Sequence, residues 1–248
     1  MTTILITGAS SGLGAEMARQ FAAKGNDLAL CARRVDRLEE LRTEITATHP
    51  ACRVEICAMD VNDDDQVFAA FRGFAEAFGT IDRVVINAGL GKGAPLGTGG
   101  FAANKETAMT NFVGALAQAE AAMEVFRAQN SGHLVMVSSM SAMRGMPKTM
   151  TTYAATKAGV AHLAEGLRNE FHGKPIKVTV LYPGYIASEM NEHVASEQRL
   201  MVSTEKGVRS MVAAIEKEVD SACVPPLPWA PLSVVMKHAP LGVFKRLM

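Results

Sequence analysis

Six short apolar runs, "TILIT", "DLALC", "RVEICAM", "DRVVIN", "HLVMVS" and "IKVTVLY", recur along the chain, separated by longer segments of helical spacing. Each run is continuously apolar rather than alternating, the pattern of a strand covered on both faces. Among the intervening segments, residues 63–78 ("DDDQVFAAFRGFAEAF") set Val67, Phe71, Phe74 and Phe78 on one helical face behind three acids that suit a helix N-terminus. Strand–helix alternation of this kind, with right-handed crossovers, predicts one α/β domain: a doubly wound parallel sheet of six to seven strands with helices on both faces. Ligands of such sheets bind beyond the carboxyl ends of the strands, so the loops after each run are where chemistry is expected.

The chain has 248 residues, 48% of them hydrophobic, enough for one large core. Lys plus Arg and Asp plus Glu both number 25, so no net field favours nucleic acid or an anionic membrane. Cys31, Cys52, Cys57 and Cys223 show no CxxC spacing, which argues against both a zinc site and a disulfide framework. The sequence enters "ILITG" without a charged leader or cleavage site, and no apolar run approaches the roughly 18 residues of a membrane span. A cytoplasmic protein is therefore expected. Two segments depart from the average composition. The loop "GLGKGAPLGTGG" (89–100) is glycine-rich and expected to be mobile, and the tail from Pro225 holds five of the ten prolines and the only tryptophan.

The most specific local signal follows the first run. In "TGASSGLG", Gly8, Gly12 and Gly14 are spaced GxxxGxG between a strand and a helix expected to begin near Gly12. Glycines here permit positive φ and a close approach of backbone amides to a pyrophosphate, which the positive end of the helix stabilises; Ser10 and Ser11 add hydroxyls, and Leu13 lies between the last two glycines.

This turn resembles that of the short-chain dehydrogenase/reductases, in the shorter branch whose pattern is TGxxxGxG. The resemblance implies a Rossmann-like domain over residues 1–224 that binds a nicotinamide cofactor and carries the catalytic groups, with 225–248 as a C-terminal tail of the same domain. It also assigns roles further along. Asp60 and Val61, at the end of the third strand, are similar to the pair that contacts adenine. Asn87, Ala88 and Gly89, "NAG" after the fourth strand, resemble the turn on the ribose side of the cofactor. Pro183, Gly184, Ile186 and Ser188, in "YPGYIASEM", resemble the segment that borders the nicotinamide, with a serine hydroxyl where many members have threonine.

"YAATK" places Tyr153 and Lys157 four residues apart, on one helix face. A phenol titrating near 10 is a poor base at neutral pH; lowering it by 2 to 3 units takes roughly 3 to 4 kcal/mol. A cation about 4 Å away at an effective dielectric near 20 contributes about that much. Upstream, "VMVSSMS" offers Ser138, Ser139 and Ser141, which precede the tyrosine by 15, 14 and 12 residues. In the family the second serine of such a pair donates to the substrate oxygen, usually 13 residues before the tyrosine. Ser139 is the candidate, its extra residue is assigned to an insertion after Pro147, and Ser141 is the alternative. Asn111, on a helix expected from about 102 to 128, matches the asparagine that holds a water against the lysine in a proton relay.

One position sets the cofactor. Ala32, at the end of the second run, stands where NAD-preferring members carry an acid that accepts from the ribose hydroxyls, and Arg33 follows it. Without the acid, Arg33 can grip a 2′-phosphate with its planar fork, which implies NADP(H). Arg34 either stacks near the adenine or faces water. The expected activity is hydride exchange between the cofactor and a carbonyl or secondary alcohol, without a metal, on a medium-sized hydrophobic small molecule. The rivals are a catalytically silent nucleotide sensor or scaffold, and epimerisation or dehydration on the same fold. Glu189–Thr204, with Met190, Val194, Leu200 and Met201, is expected to form a lid. The tail, interrupted by Pro231 and Pro240, covers the substrate mouth, joins a subunit interface or rests on a membrane, with the first two favoured. Family members are commonly homodimers or homotetramers built on the helices that carry Asn111 and Tyr153.

Overall fold

Alternate residues of the first strand already divide the molecule into layers. In the computed structural model, which describes residues 2–190 and 200–247, Ile4 and Ile6 point into one core and Leu5 into another. All five residues of β1 (Thr3–Thr7) are buried, which is why the run lacks polar alternation. The other strands are β2 (Asp27–Ala32), β3 (Val54–Ala58), β4 (Arg83–Ile86), β5 (Gly132–Val137), β6 (Ile176–Pro183) and β7 (Ser221–Val224). They form one parallel sheet in the order β3-β2-β1-β4-β5-β6-β7. One face is covered by α1 (Gly12–Ala22), α2 (Val35–Thr48) and α7 (Thr204–Glu216), the other by α3 (Asp64–Phe78), α5 (Gly114–Gln129) and α6 (Met150–Glu170). The Rossmann-like sheet expected from the apolar runs is therefore present. Strand order reverses between β1 and β4, which opens a crevice at their carboxyl ends.

Local signals fix several element ends. Asp63 caps α3 by accepting from the Gln66 amide, and Val67, Ala70, Phe71 and Phe74 fill the core behind it. Phe78, expected on the same apolar face, is only partly buried and lies under the Arg53 guanidinium, 4.4 Å from the ring centre.

Other features depart from expectation. The edge strand β3 is not covered on both faces: three of its residues are half-buried and Ala58 is exposed. The seventh strand was not among the six runs because it is a four-residue edge strand with only Val224 buried. The helix expected over 102–128 is broken into α4 (Phe101–Ala108), a π-helical turn (Met109–Val113) and α5, so Asn111 sits on the irregular turn. The glycine-rich loop is pinned rather than loose at its start: Asn104 bonds both backbone groups of Ala94, and Lys92 pairs with Glu106. Beyond it, Pro95 to Gly99 is exposed.

Pro231 does not interrupt the tail. It lies inside α8 (Pro226–His238), whose one non-helical residue is Leu227, so Pro231 falls in the first regular turn, where a missing N–H costs nothing. Pro240 precedes α9 (Leu241–Leu247). No helix among the described residues is long and apolar enough to cross a membrane, and no group of His, Cys, Asp or Glu among them could hold a metal.

A polar chain crosses the sheet inside the core. Arg83 Nε donates to His133 Nδ1 at 3.0 Å, so the ring proton is on Nε2 and reaches Thr179 Oγ1 at 2.8 Å; Thr179 donates to the Val219 carbonyl. Burial, and then the nearby Arg83 charge, push the His133 pKa down to about 3. The unfolded chain protonates this histidine below about pH 6.5, the folded chain only near 3, so stability falls as pH is lowered through that window. Denaturant titrations should show this group removing about 2 kcal/mol between pH 7 and pH 5. In His133→Gln that part of the pH dependence should disappear.

Candidate active site

The crevice begins at a joint between β1 and β4. Thr7 Oγ1 accepts from the amides of Asn87 (3.0 Å) and Ala88 (3.1 Å), while the Asn87 side-chain amide donates to the carbonyls of Thr7 and Gly8. Gly8 has φ +63°, and a Cβ there would stand 2.9 Å from the Ala88 Cα; one on Gly14 would stand 2.3 Å from the Gly8 carbonyl oxygen. The glycine spacing is thus a demand of close packing as well as of conformation. α1 begins at Gly12, as expected, and Ser11 at its N-cap makes no side-chain capping bond, which leaves the first amides of the helix for an anion.

A cavity of about 820 Å³ runs from this turn to the tail. Gly8, Ser10, Ser11, Gly12, Leu13, Arg33, Arg34, Asp60, Val61, Asn87, Ala88 and Gly89 line one end, and Pro183, Gly184, Ile186 and Ser188 border its middle with Ser139, Tyr153 and Lys157. Gly14 and Asn111 stand behind the wall. An anion-ready helix end, glycines that admit a backbone-close ligand and a long cleft together fit a dinucleotide.

At the arginine pair, Arg33 is exposed and, among the described residues, makes no ion pair or side-chain hydrogen bond. Arg34 does not simply face water: it reaches back across the glycine turn to Ser10 (3.3 Å) and Ser11 (2.6 Å) and pairs with Glu189 at 3.1 Å. Both serine hydroxyls accept from Arg34 and line the cavity. Glu189 was not anticipated, because a charge partner 155 residues away carries no sequence signal.

The catalytic candidates converge. Ser138 is a structural anchor, donating to the Lys157 carbonyl at 2.7 Å. Ser139 starts a 3₁₀ turn (Met140–Met143), accepts from the Ser141 amide, and its hydrogen bond to Tyr153 favours the phenolate. Ser141 is buried and its hydroxyl has no partner among the described residues. Immediately after Pro147, Lys148 adopts φ +58°, and the chain turns into α6.

Burial dominates the electrostatics of the tyrosine–lysine pair. Lys157 Nζ donates to the Val137 carbonyl at 3.0 Å and lies 5.9 Å from the Tyr153 ring centre. Burial pushes Lys157 down to about 8. Burial also raises Tyr153, against the lowering pull of Ser139. Desolvation penalises whichever form is charged, and at Tyr153 it outweighs the Ser139 hydrogen bond. Asn111 accepts from the Leu90 amide and donates to its carbonyl, both at 2.8 Å, so it clamps the chain just past "NAG". A Cβ on Gly89 would sit 3.2 Å from Asn111 Oδ1 and 3.4 Å from Lys157 Nζ, so both side chains border the space that this glycine leaves open.

The model of the short-chain dehydrogenase family matches residues 2–199. The chain belongs to the short-chain dehydrogenase/reductase family. An uncharacterised oxidoreductase of Mycobacterium tuberculosis is 52% identical over 243 residues, covering 98% of this chain and 96% of that one. A bovine dehydrogenase/reductase, family member 7B, is 32% identical and covers 99% of this chain and 79% of its own length. Among solved structures, a short-chain dehydrogenase from Sphingobium yanoikuyae in complex with NADPH superposes with a TM-score of 0.84 at 25% identity, over 99% and 96% of the two chains. Levodione reductase gives 0.83 at 26%, over 94% and 98%. This family member is accordingly a short-chain oxidoreductase with a nicotinamide-nucleotide fold.

Beside Ser139, Tyr153 and Lys157 the cavity includes a chamber walled by Met140, Met146, Met150, Trp229, Met236 and Phe244. Of the segment expected to form a lid, Met190 and Leu200 also line the cavity; Val194 lies outside the described residues, and Met201 is not in the wall. The tail is the roof, since Trp229, Met236 and Phe244 pack on Met140, Met146 and Ala154. Sequence reasoning missed what fastens it. Arg144 donates to the carbonyls of Met236 and Ala239 at the end of α8 and lies 5.1 Å from the Phe244 ring centre. Arg144→Met should therefore lower the unfolding free energy by about 1 to 3 kcal/mol and speed tryptic cleavage after Lys237, measured by denaturant titration and timed proteolysis.

Proposed function

We propose that this chain is an NADP(H)-dependent oxidoreductase that interconverts a carbonyl compound and a secondary alcohol. The observation that carries the reading is the meeting of Ser139, Tyr153 and Lys157 in one cavity that continues to the glycine turn. When bound, the cofactor supplies or accepts the hydride. Ser139 donates to the substrate oxygen and polarises the carbonyl; Tyr153 delivers a proton to that oxygen in reduction and takes it back in oxidation. Lys157, poised near neutrality, holds ribose hydroxyls and favours the phenolate when a further positive charge enters the site. Asn111 fixes the loop beside Lys157 and links the pair to solvent through a water.

Selection of NADP(H) is supported by Ala32 at the end of β2 and by the exposed Arg33 beside it, a fork of donors that no carboxylate among the described residues engages. Asp60, Val61, Asn87, Ala88 and Gly89 then serve the adenosine half, and Pro183, Gly184, Ile186 and Ser188 the nicotinamide half. The methionine-rich chamber favours a neutral, medium-sized hydrophobic substrate, since thioethers adapt to irregular apolar shapes. Residues 225–248 belong to the same domain as the chamber's roof. The protein acts from the cytoplasm as a homodimer or homotetramer; association is supported by the exposed apolar residues Phe101 on α4, Met109, Phe112 and Val113 on the π-helical turn, and Leu116 on α5.

Tyr153→Phe should bind NADPH within about twofold of the native protein yet lose roughly 10²- to 10⁴-fold in turnover, read in a cofactor-oxidation screen over ketones and aldehydes. Near-native turnover would refute the assignment. For the cofactor, Ala32→Asp with Arg33→Ile should reverse the preference to NADH, measured as the ratio of kcat/KM values; a variant still preferring NADPH would show that the phosphate is read elsewhere.

A further inference from the structure

The helices that roof the chamber have a second face. While Trp229, Met236 and Phe244 turn inward, Leu227, Val234, Leu241 and Val243 stand 75%, 59%, 59% and 48% exposed on α8 and α9. Lys237, Lys245 and Arg246 lie exposed among them, and from residue 225 to 248 there is no Asp or Glu. Single exposed apolar residues are ordinary on a protein surface; four on one pair of short helices, mixed with cations alone, are not. The roof is also thin: Val235 lines the cavity and is itself 44% exposed.

Two occupants could cover such a face, and charge decides between them. A second copy pairing about a two-fold axis would bring this face against itself and set lysines and arginine against their like. An anionic bilayer offers every cation a partner and takes the valine and leucine side chains below its headgroups. Neither helix can span a bilayer, so both would lie in its plane. We infer that α8 and α9 dock the protein on an anionic phospholipid surface, with the thin wall of the chamber toward the lipid. An apolar carbonyl compound dissolved in the membrane then enters the chamber without crossing water. Docking is read without turnover, so it stands or falls separately from the hydride-transfer reading.

The test is sedimentation of the full chain with vesicles of phosphatidylcholine, alone or mixed with phosphatidylglycerol. The protein should bind the anionic vesicles at least roughly tenfold better, and added salt should release it. Val234→Glu with Leu241→Glu should abolish binding, and Lys245→Gln with Arg246→Gln should weaken it, while NADPH affinity and melting temperature stay those of the native protein. Failure of the native chain to bind anionic vesicles, or binding that survives Val234→Glu with Leu241→Glu, would overturn the inference. So would a sedimentation-velocity result in which that variant loses subunit association in lipid-free buffer, which would assign the face to a second copy.

Discussion

Everything in the cleft is referred to one joint, the Thr7 hydroxyl between the ends of β1 and β4. It satisfies two amides that would otherwise be stranded beside a turn, across a separation of about 80 residues in sequence. An unmade bond to a buried amide costs about 1 to 3 kcal/mol, so loss of this hydroxyl would do more than remove two average contacts. It also sets distances: with Ala88 held against Gly8, the glycine turn and "NAG" become two lips of one crevice. Asn111 extends the arrangement one step, from Gly89 and Leu90 to the π-helical turn and so to Lys157. The irregular turn is the means by which a long helix presents an asparagine to a loop.

Within the crevice, burial and charge work against each other. Burial strengthens the dipoles that line the cleft, yet the same burial raises Tyr153 and lowers Lys157. Both groups are thereby held nearer to neutral than they would be in water. A neutral phenol is the right form for donating a proton to an alkoxide, and a lysine near 8 retains enough charge to hold hydroxyl groups. Of the groups that act on Tyr153, only Ser139 favours the phenolate.

What could be read from the sequence is what repeats or lies close together along the chain. The apolar runs specify β1 to β6 because burial on both faces leaves a continuous signature, and GxxxGxG specifies the turn because Gly8, Gly12 and Gly14 each meet a steric demand within seven residues. Tyr153 and Lys157 are one helical turn apart. What could not be read depends on distant partners. The edge strand β7 lacks the signature because solvent reaches it. Arg34 meets Glu189, and Arg144 meets the end of α8, through contacts visible only once the chain has folded. Pro231 was misread for a different reason: its effect depends on where the helix starts, and Leu227 moves that start.

The family likeness and the roof divide the molecule unequally. The family model ends at residue 199, having covered the glycine turn, Asn111, Ser139, Tyr153 and Lys157, whereas the residues that close the chamber begin at Trp229. The candidate catalytic groups thus lie inside the segment that the family model matches, and half of the chamber's wall lies beyond it. The 52% identical relative aligns over 98% of this chain, which takes the likeness into the tail as well. Met236, Trp229 and Phe244 fix the chamber by packing with Met140, in the turn that Ser139 begins. Arg144 follows that turn directly, so the segment that positions Ser139 also fastens the roof of the chamber. Any change in the tail that relaxes this contact must act on both.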